Sequence, residues 1–298
     1  MRLVSWAVFS LFVATVGLRA ATPTDYAAQV AAKRAERVQR LTRADGWLTL
    51  IGLHFLPAGE STLGHAGDNA VQLAAGPAHV GTVTLGADGR VALTVAEGVE
   101  ASVDGKPVRA VDLGDGRSED KPVIAHVGTV SFYVIDRGGK KALRVKDSAA
   151  PTRTHFLGLD YFPLDPSWRV EADWVAFTPA KEVTIHNMIG QAEVSRVPGK
   201  AVFTREGHTY ELLPMQDNPG EELFFVIADA TSGTETYGAA RFVYAEAPRD
   251  GKVVLDFNLA VNPPCAFTEF ATCPLPPKGN RLPIAVRAGE KKYRGAEH

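Results

Sequence analysis

Val130-Ser131-Phe132-Tyr133-Val134-Ile135, then Asp136-Arg137-Gly138-Gly139, then Ala142-Leu143-Arg144-Val145 is the stretch that decides the fold. Both arms are rich in β-branched and aromatic residues with outward polar positions between them. The two glycines supply the positive φ angles of a tight hairpin turn. The same arrangement recurs upstream. Thr82–Leu85 and Val91–Val95 flank Gly86-Ala87-Asp88-Gly89, and Glu100–Val103 and Lys106–Val108 flank Asp104-Gly105. Downstream, short runs continue at Trp168–Phe177, Glu182–Met188, Lys200–Thr204, Thr209–Leu213, Leu223–Ala228, Phe242–Tyr244 and Val253–Phe257. Strands at this spacing, with no helices between them, predict a mainly-β protein and not a parallel βαβ sheet. Residues 147–168 are loop-like, so the expected organisation is two β sandwich or barrel units, 47–150 and 151–298. Asn258–Ala288 is proline-rich and aperiodic, and its Phe267, Phe270 and two cysteines predict a long ordered C-terminal loop.

The amino terminus reads differently. Arg2 is followed by an apolar run from Leu3 to Leu18 and the small-residue junction Leu18-Arg19-Ala20-Ala21. That is the pattern of a signal peptide over residues 1–20, and it predicts an exported, periplasmic or secreted protein. No later stretch is apolar and long enough to span a bilayer, so no membrane span is expected in the mature chain. The 32 Lys+Arg against 34 Asp+Glu leave no basic footprint, so no nucleic-acid partner is expected.

Residues 21–46 predict a helix, capped by Thr24 or Asp25 and ended by Gly46. Tyr26, Ala27, Val30, Ala31, Val38 and Leu41 recur near helical spacing, while Lys33, Arg34, Arg37 and Arg40 fall on what reads as a solvated face.

Candidate chemistry falls into three clusters. Asp256, Asn258, Asn262, Asn280 and Arg281 line the C-terminal loop; their oxygens suit a polar ligand, and equally suit satisfying turn backbone. Arg144 and Asp147 enter a loop carrying Arg153, His155 and Tyr161; the arginines suit a carboxylate or phosphate, and equally an internal salt bridge. Asp229–Gly238, with Tyr237, offers hydroxyls to a sugar but reads first as an exposed hairpin tip. Cys265 and Cys273 are the only cysteines; in an oxidising compartment they predict a disulfide. There is no Gly-x-Ser-x-Gly elbow and no His-Glu-x-x-His pair, so neither a local catalytic triad, a metal site nor a cofactor is expected.

Several of these residues lie in a recognisable pattern. Gly46–Leu56 with Gly59–Gly64, Asp256-Phe257-Asn258, Asn262–Thr268, Ala271–Pro277, Asn280–Pro283 and Ala288-Gly289-Glu290-Lys291 together resemble the bacterial domain-of-unknown-function 1684 family over nearly the whole mature chain. The resemblance implies one architectural unit and brings no activity with it. Within residues 58–110, Gly59–Gly64, Asp68–Leu73 and Ala78-His79-Val80 are similar to a forkhead-associated sandwich. His65 and Gly76-Pro77-Ala78 stand where that family carries its anion-gripping arginine and serine, so the likeness implies the sandwich alone.

Two functional expectations follow. One is a protein that binds a small polar molecule, a glycan or a peptide between its two β units, on a floor formed by the Asn258–Arg281 loop. The alternative is a hydrolase in which Asp147, His155, Asp256 and Cys265 converge only in three dimensions.

Overall fold

The computed structural model describes residues 23–117 and 121–295; the expected signal peptide lies outside them. Helix α1 spans Pro23–Thr42. It ends at Thr42, and at Gly46 the chain has folded back so closely that an added Cβ would sit 2.5 Å from the Leu41 carbonyl oxygen.

The first β unit is a sandwich. One sheet has the order β1 (Leu50–Phe55), β11 (Lys140–Asp147), β10 (Val130–Arg137), β9 (Ala125–Val127), β6 (Ser102–Val103), β7 (Lys106–Pro107). The facing sheet has the order β3 (Val71–Gln72), β2 (Gly59–Gly64), β4 (Gly81–Leu85), β5 (Val91–Val95), β8 (Ala110–Gly114). One apolar cluster draws on both. Phe132, Val134, Leu143 and Val145 come from the first sheet, and Leu63, Val83 and Leu93 from the second. Strand β5 shows the alternation that builds it: Val91, Leu93 and Val95 point in while Ala92 and Thr94 point out.

The Val130–Val145 hairpin is formed by β10 and β11, paired from Val130↔Asp147 to Arg137↔Lys140. Gly138 and Gly139 make its turn at φ 62° and 83°. Asp104 and Gly105 do the same between β6 and β7, at φ 48° and 73°.

A short helix α2 (Pro151–Thr154) leads into the second unit. There the sheet order is β14 (His208–Leu212), β13 (Ala192–Arg205), β12 (Arg169–His186), β17 (Lys252–Asp256), with β15 (Leu223–Ile227) and β16 (Arg241–Ala245) as a separate pair. The runs expected as two strands, 168–177 and 182–188, are one 18-residue strand whose pairing with β13 is broken by an irregularity between Ala176 and Lys181. The proline-rich C-terminal segment is ordered because Leu282, Val286 and Ala288 enter the same core as Phe203, Phe225 and Leu255. A further apolar seam, made of Leu50, Ile185, Phe242, Cys265 and Cys273 among others, joins the first unit to the second.

Candidate functional site

Helix α1 is what turns the C-terminal loop into a site. Its inner stripe is Tyr26, Val30, Arg34, Arg37 and Leu41, one residue every three or four positions. Val30 and Leu41 are its buried apolar anchors. The other three are polar, and they meet the loop.

The Tyr26 hydroxyl lies 2.9 Å from both carboxylate oxygens of Asp256. Asn258 donates its side-chain amide to the same hydroxyl at 3.1 Å and to the Asp165 carbonyl at 2.8 Å. Burial, with the Asp256 carboxylate beside it, pushes the Tyr26 phenol well above its ordinary value. One helix turn beyond Arg34, the Arg37 Nε–H donates to Glu290 Oε1 at 3.0 Å and its Nη2 to the Asn262 carbonyl at 2.7 Å. The other Glu290 oxygen accepts the Asn262 backbone N–H at 2.7 Å. Glu290 has a relative exposure of 0%, and burial holds its carboxyl above the usual range despite the Arg37 cation.

Arg34 lies between these two anchor points. Its guanidinium carbon sits 4.2 Å from the centre of the Tyr161 ring. Its Nε and Nη2, and the Tyr161 hydroxyl, are shielded from solvent and have no hydrogen-bond partner among the described residues. A cation over an aromatic face recovers part of the lost solvation, on the order of 1–2 kcal/mol, but leaves the N–H groups unpaired. Both residues line a cleft of about 750 Å³ between α1 and the Asn258–Pro264 segment. Lys33, Arg40 and Lys146 add positive charge to it, and Trp47, Phe242, Tyr244 and Val261 add apolar wall.

Behind the cleft is a second buried network. Arg241, 1% exposed, donates to Asp229 at 2.6 Å and to the carbonyls of Val286 and Ala288. Asp229 also accepts the Thr231 amide and hydroxyl and the Val286 amide. The Asp229–Gly238 turn exposes Gly233, Thr234 and Glu235 at its tip, as expected, but its base is buried. Thr231 and Thr236 are buried and hydrogen-bond to each other at 2.9 Å, because their hydroxyls find all their partners inside the protein.

The residues singled out in the sequence are dispersed. Tyr161, Asn258 and Asn262 come together on the cleft, with Asp256 immediately behind them. Asn280 is buried elsewhere and locks the backbone of Leu213 and Val226. Arg281 is exposed beside Ala228. Arg153 ties the Thr42 and Ser148 carbonyls together, Asp147 accepts the Ala149 amide, and His155 is exposed at the end of α2. Arg144 is buried, 5.3 Å from the Trp47 ring, with its Nε unpaired among the described residues. Tyr237 donates its hydroxyl to the Cys265 carbonyl at 3.0 Å. No hydrogen bond among the described residues joins any two of Asp147, His155, Asp256 and Cys265. Each is held by other neighbours, so the hydrolase set is not assembled.

The disulfide expectation is corrected. Cys265 and Cys273 are free thiols buried in the seam between the units, where they pack as small apolar side chains. The Cys273 sulfur accepts the Cys265 backbone N–H at 3.2 Å. The contact with Cys273 pulls the Cys265 thiol down, and the same contact together with burial pushes the Cys273 thiol up.

The solvated-face reading of α1 holds for Lys33 and Arg40, which are exposed, and is corrected for Arg34 and Arg37, which are half-buried against the second unit. Sequence reasoning also missed Glu290, although the residue lies in the Ala288–Lys291 family signature. The available signal was the mixed stripe Tyr26-Val30-Arg34-Arg37-Leu41, whose spacing is helical though its chemistry is not uniform. Among the described residues, no three of His, Cys, Asp and Glu converge as a metal-binding group, and no helix is long and apolar enough to cross a membrane.

Residues 154–291 match the family described as protein of unknown function, DUF1684. The chain belongs to the DUF1684 family. Within the DUF1684 segment fall Tyr161, Asn258, Asn262 and Glu290, whereas α1, Trp47 and Lys146 lie outside it. An uncharacterized protein of Haloarcula marismortui, solved by solution NMR, is 31% identical; the match covers 48% of this chain and 81% of that one, with a TM-score of 0.40. No curated protein matches the chain.

Proposed function

We propose that this DUF1684 protein is exported and binds a small polar ligand in the cleft between α1 and the Asn258–Pro264 segment. The observation that carries the reading is Arg34: a guanidinium on a cleft wall with no hydrogen bond among the described residues, beside a tyrosine hydroxyl that also has none. Buried donors are nearly always paired in folded proteins, and here Arg34 Nε and Nη2 and the Tyr161 hydroxyl are left unpaired just beneath the wall of the cleft their side chains line. Most other polar groups around the cleft are already engaged; among the described residues Arg40 has no salt bridge and the buried Asn262 Oδ1 has no hydrogen-bond partner. Asp256, Asn258, Asn262 and Glu290 use their bonds to hold α1 and the loop, which makes them a frame that fixes the position of Arg34. Export rests on Arg2, the Leu3–Leu18 apolar run and the Ala20-Ala21 junction.

A thermal-shift panel of sugars, short peptides, organic acids and phosphate esters tests the reading. At least one class raises the Tm of the wild-type protein, and Tyr161→Phe with Arg34→Gln loses that rise. If no class shifts the wild type, the cleft is not a binding site.

A further inference from the structure

We infer that the ligand of this cleft is an organic anion: one carboxylate or phosphate head on a flat apolar body. The inference rests on the binding reading above and names the class of molecule that would satisfy it.

The head follows from the balance of charge along the cleft. Three cations already have carboxylates: Lys33 pairs with Glu36 at 3.3 Å, Arg43 with Asp45 at 2.9 Å, and Arg37 with Glu290 at 3.0 Å. Arg34, Arg40 and Lys146 have no carboxylate partner among the described residues. Lys146 donates to the Asp45 carbonyl at 2.6 Å and lies 5.9 Å from the Trp47 and Tyr133 rings. On the cleft lining itself the acid with no salt bridge is Glu222, exposed on the opposite wall; Asp256 and Glu290, behind the cleft, act on Arg34 from further away without a salt bridge to it. A guanidinium with free donors selects an acceptor that is charged and at least bidentate, which a carboxylate or phosphate is and a neutral sugar hydroxyl is not. Burial costs Arg34 part of its solvation, as the downward pull on its own ionisation shows, and an anion restores it.

The body follows from the opposite wall. Tyr244 is 46% exposed, unusual for a tyrosine on a strand whose neighbours are buried. It is nevertheless rigid: its ring stacks on Phe224 at 5.1 Å and 17°, and Phe224 meets Phe242 edge-on at 4.7 Å and 87°. A fixed aromatic ring with one face covered and the rest half-open on a cleft is a platform for a flat apolar group. Trp47 and Val261 extend that apolar side. Tyr244, Arg34 and Arg40 line the same cleft, so platform and cations belong to one site.

Isothermal titration of the full chain with phenylacetate, phenyl phosphate and the neutral isostere phenylacetamide tests this. The two anions bind and the amide binds at least ten-fold more weakly. Arg34→Gln weakens the anions ten-fold or more and leaves the amide unchanged, Arg34→Lys restores part of the loss, and Tyr244→Ala weakens all three alike. Should Arg34→Gln melt early, Arg40→Gln with Lys146→Gln replaces it; that pair is peripheral and weakens the anions several-fold. If the amide binds as tightly as the acid, or if the charge-removing variants bind anions like wild type, the anion inference is overturned while the cleft reading survives. If none of the three ligands binds but a sugar or peptide shifts the melting temperature, the inference also falls alone. If no ligand of any class binds, both fall together.

Discussion

Arg37, on the first helix, donates its Nε–H to Glu290, 253 residues later and fully buried, at 3.0 Å. One ion pair thus fastens the start of the described chain to its end and frames the cleft from beneath. Removing the cation strands a buried carboxylate, which typically costs about 3–5 kcal/mol. Arg37→Met is expected to lose stability of that order in urea unfolding. The double variant Arg37→Met/Glu290→Gln should lose less than the sum of the two single changes.

The same pair gives a pH signature. Burial raises the Glu290 carboxyl above its ordinary 4.5. The folded protein therefore holds that proton more tightly than the unfolded chain. This contribution to stability is full below about 4.5 and is lost as pH rises through the higher folded value. Glu290→Gln has no such titration. Urea midpoints measured between pH 4 and pH 7 should show the wild type losing ground to Glu290→Gln as pH rises, and a constant difference would contradict the assignment.

Cys265 and Cys273 should behave as two inert thiols. Mass spectrometry after alkylation in denaturant is expected to find both modified without prior reduction, and the native protein should resist the same reagent because both sulfurs are buried. Alkylation only after reduction would mean a covalent bridge.

The β10–β11 turn allows a clean backbone test. Gly139 has φ 83° and nothing within 4 Å of where an added Cβ would sit, so Gly139→Ala meets no clash and pays only for the left-handed conformation. That is about 1–2 kcal/mol, and Gly139→Asn should cost less because asparagine tolerates this region. Equal losses for the two variants would show that the turn is not held as described.

The hairpins were legible because their signals are local: alternation along β5 and β10, and glycines where the turn needs positive φ. The β-rich class, the one long helix among the described residues and the ordered C-terminal loop could be read on the same grounds. The cleft could not. Arg34 and Arg37 share a helical stripe with Val30 and Leu41, so amphipathic reasoning assigned the basic residues to solvent, and the partners of Arg37 lie more than 200 residues away. Asp229–Gly238 looked exposed because it is polar. Its tip is exposed, but its base is buried because Asp229, Thr231, Thr236 and Arg241 hydrogen-bond to one another. Polar composition reports the chemistry of a segment, and only its partners decide on which side of the surface it lies.

The most direct test of the cleft is the Arg34 side-chain resonance. In a nitrogen–proton correlation spectrum, assigned by its loss in Arg34→Gln, the Nε–H signal should shift progressively and saturate as phenylacetate is added, while the Arg153 Nε–H, bonded to Thr42, stays still. Saturable binding of phenylacetate that leaves the Arg34 signal unmoved would place the ligand elsewhere and contradict the account.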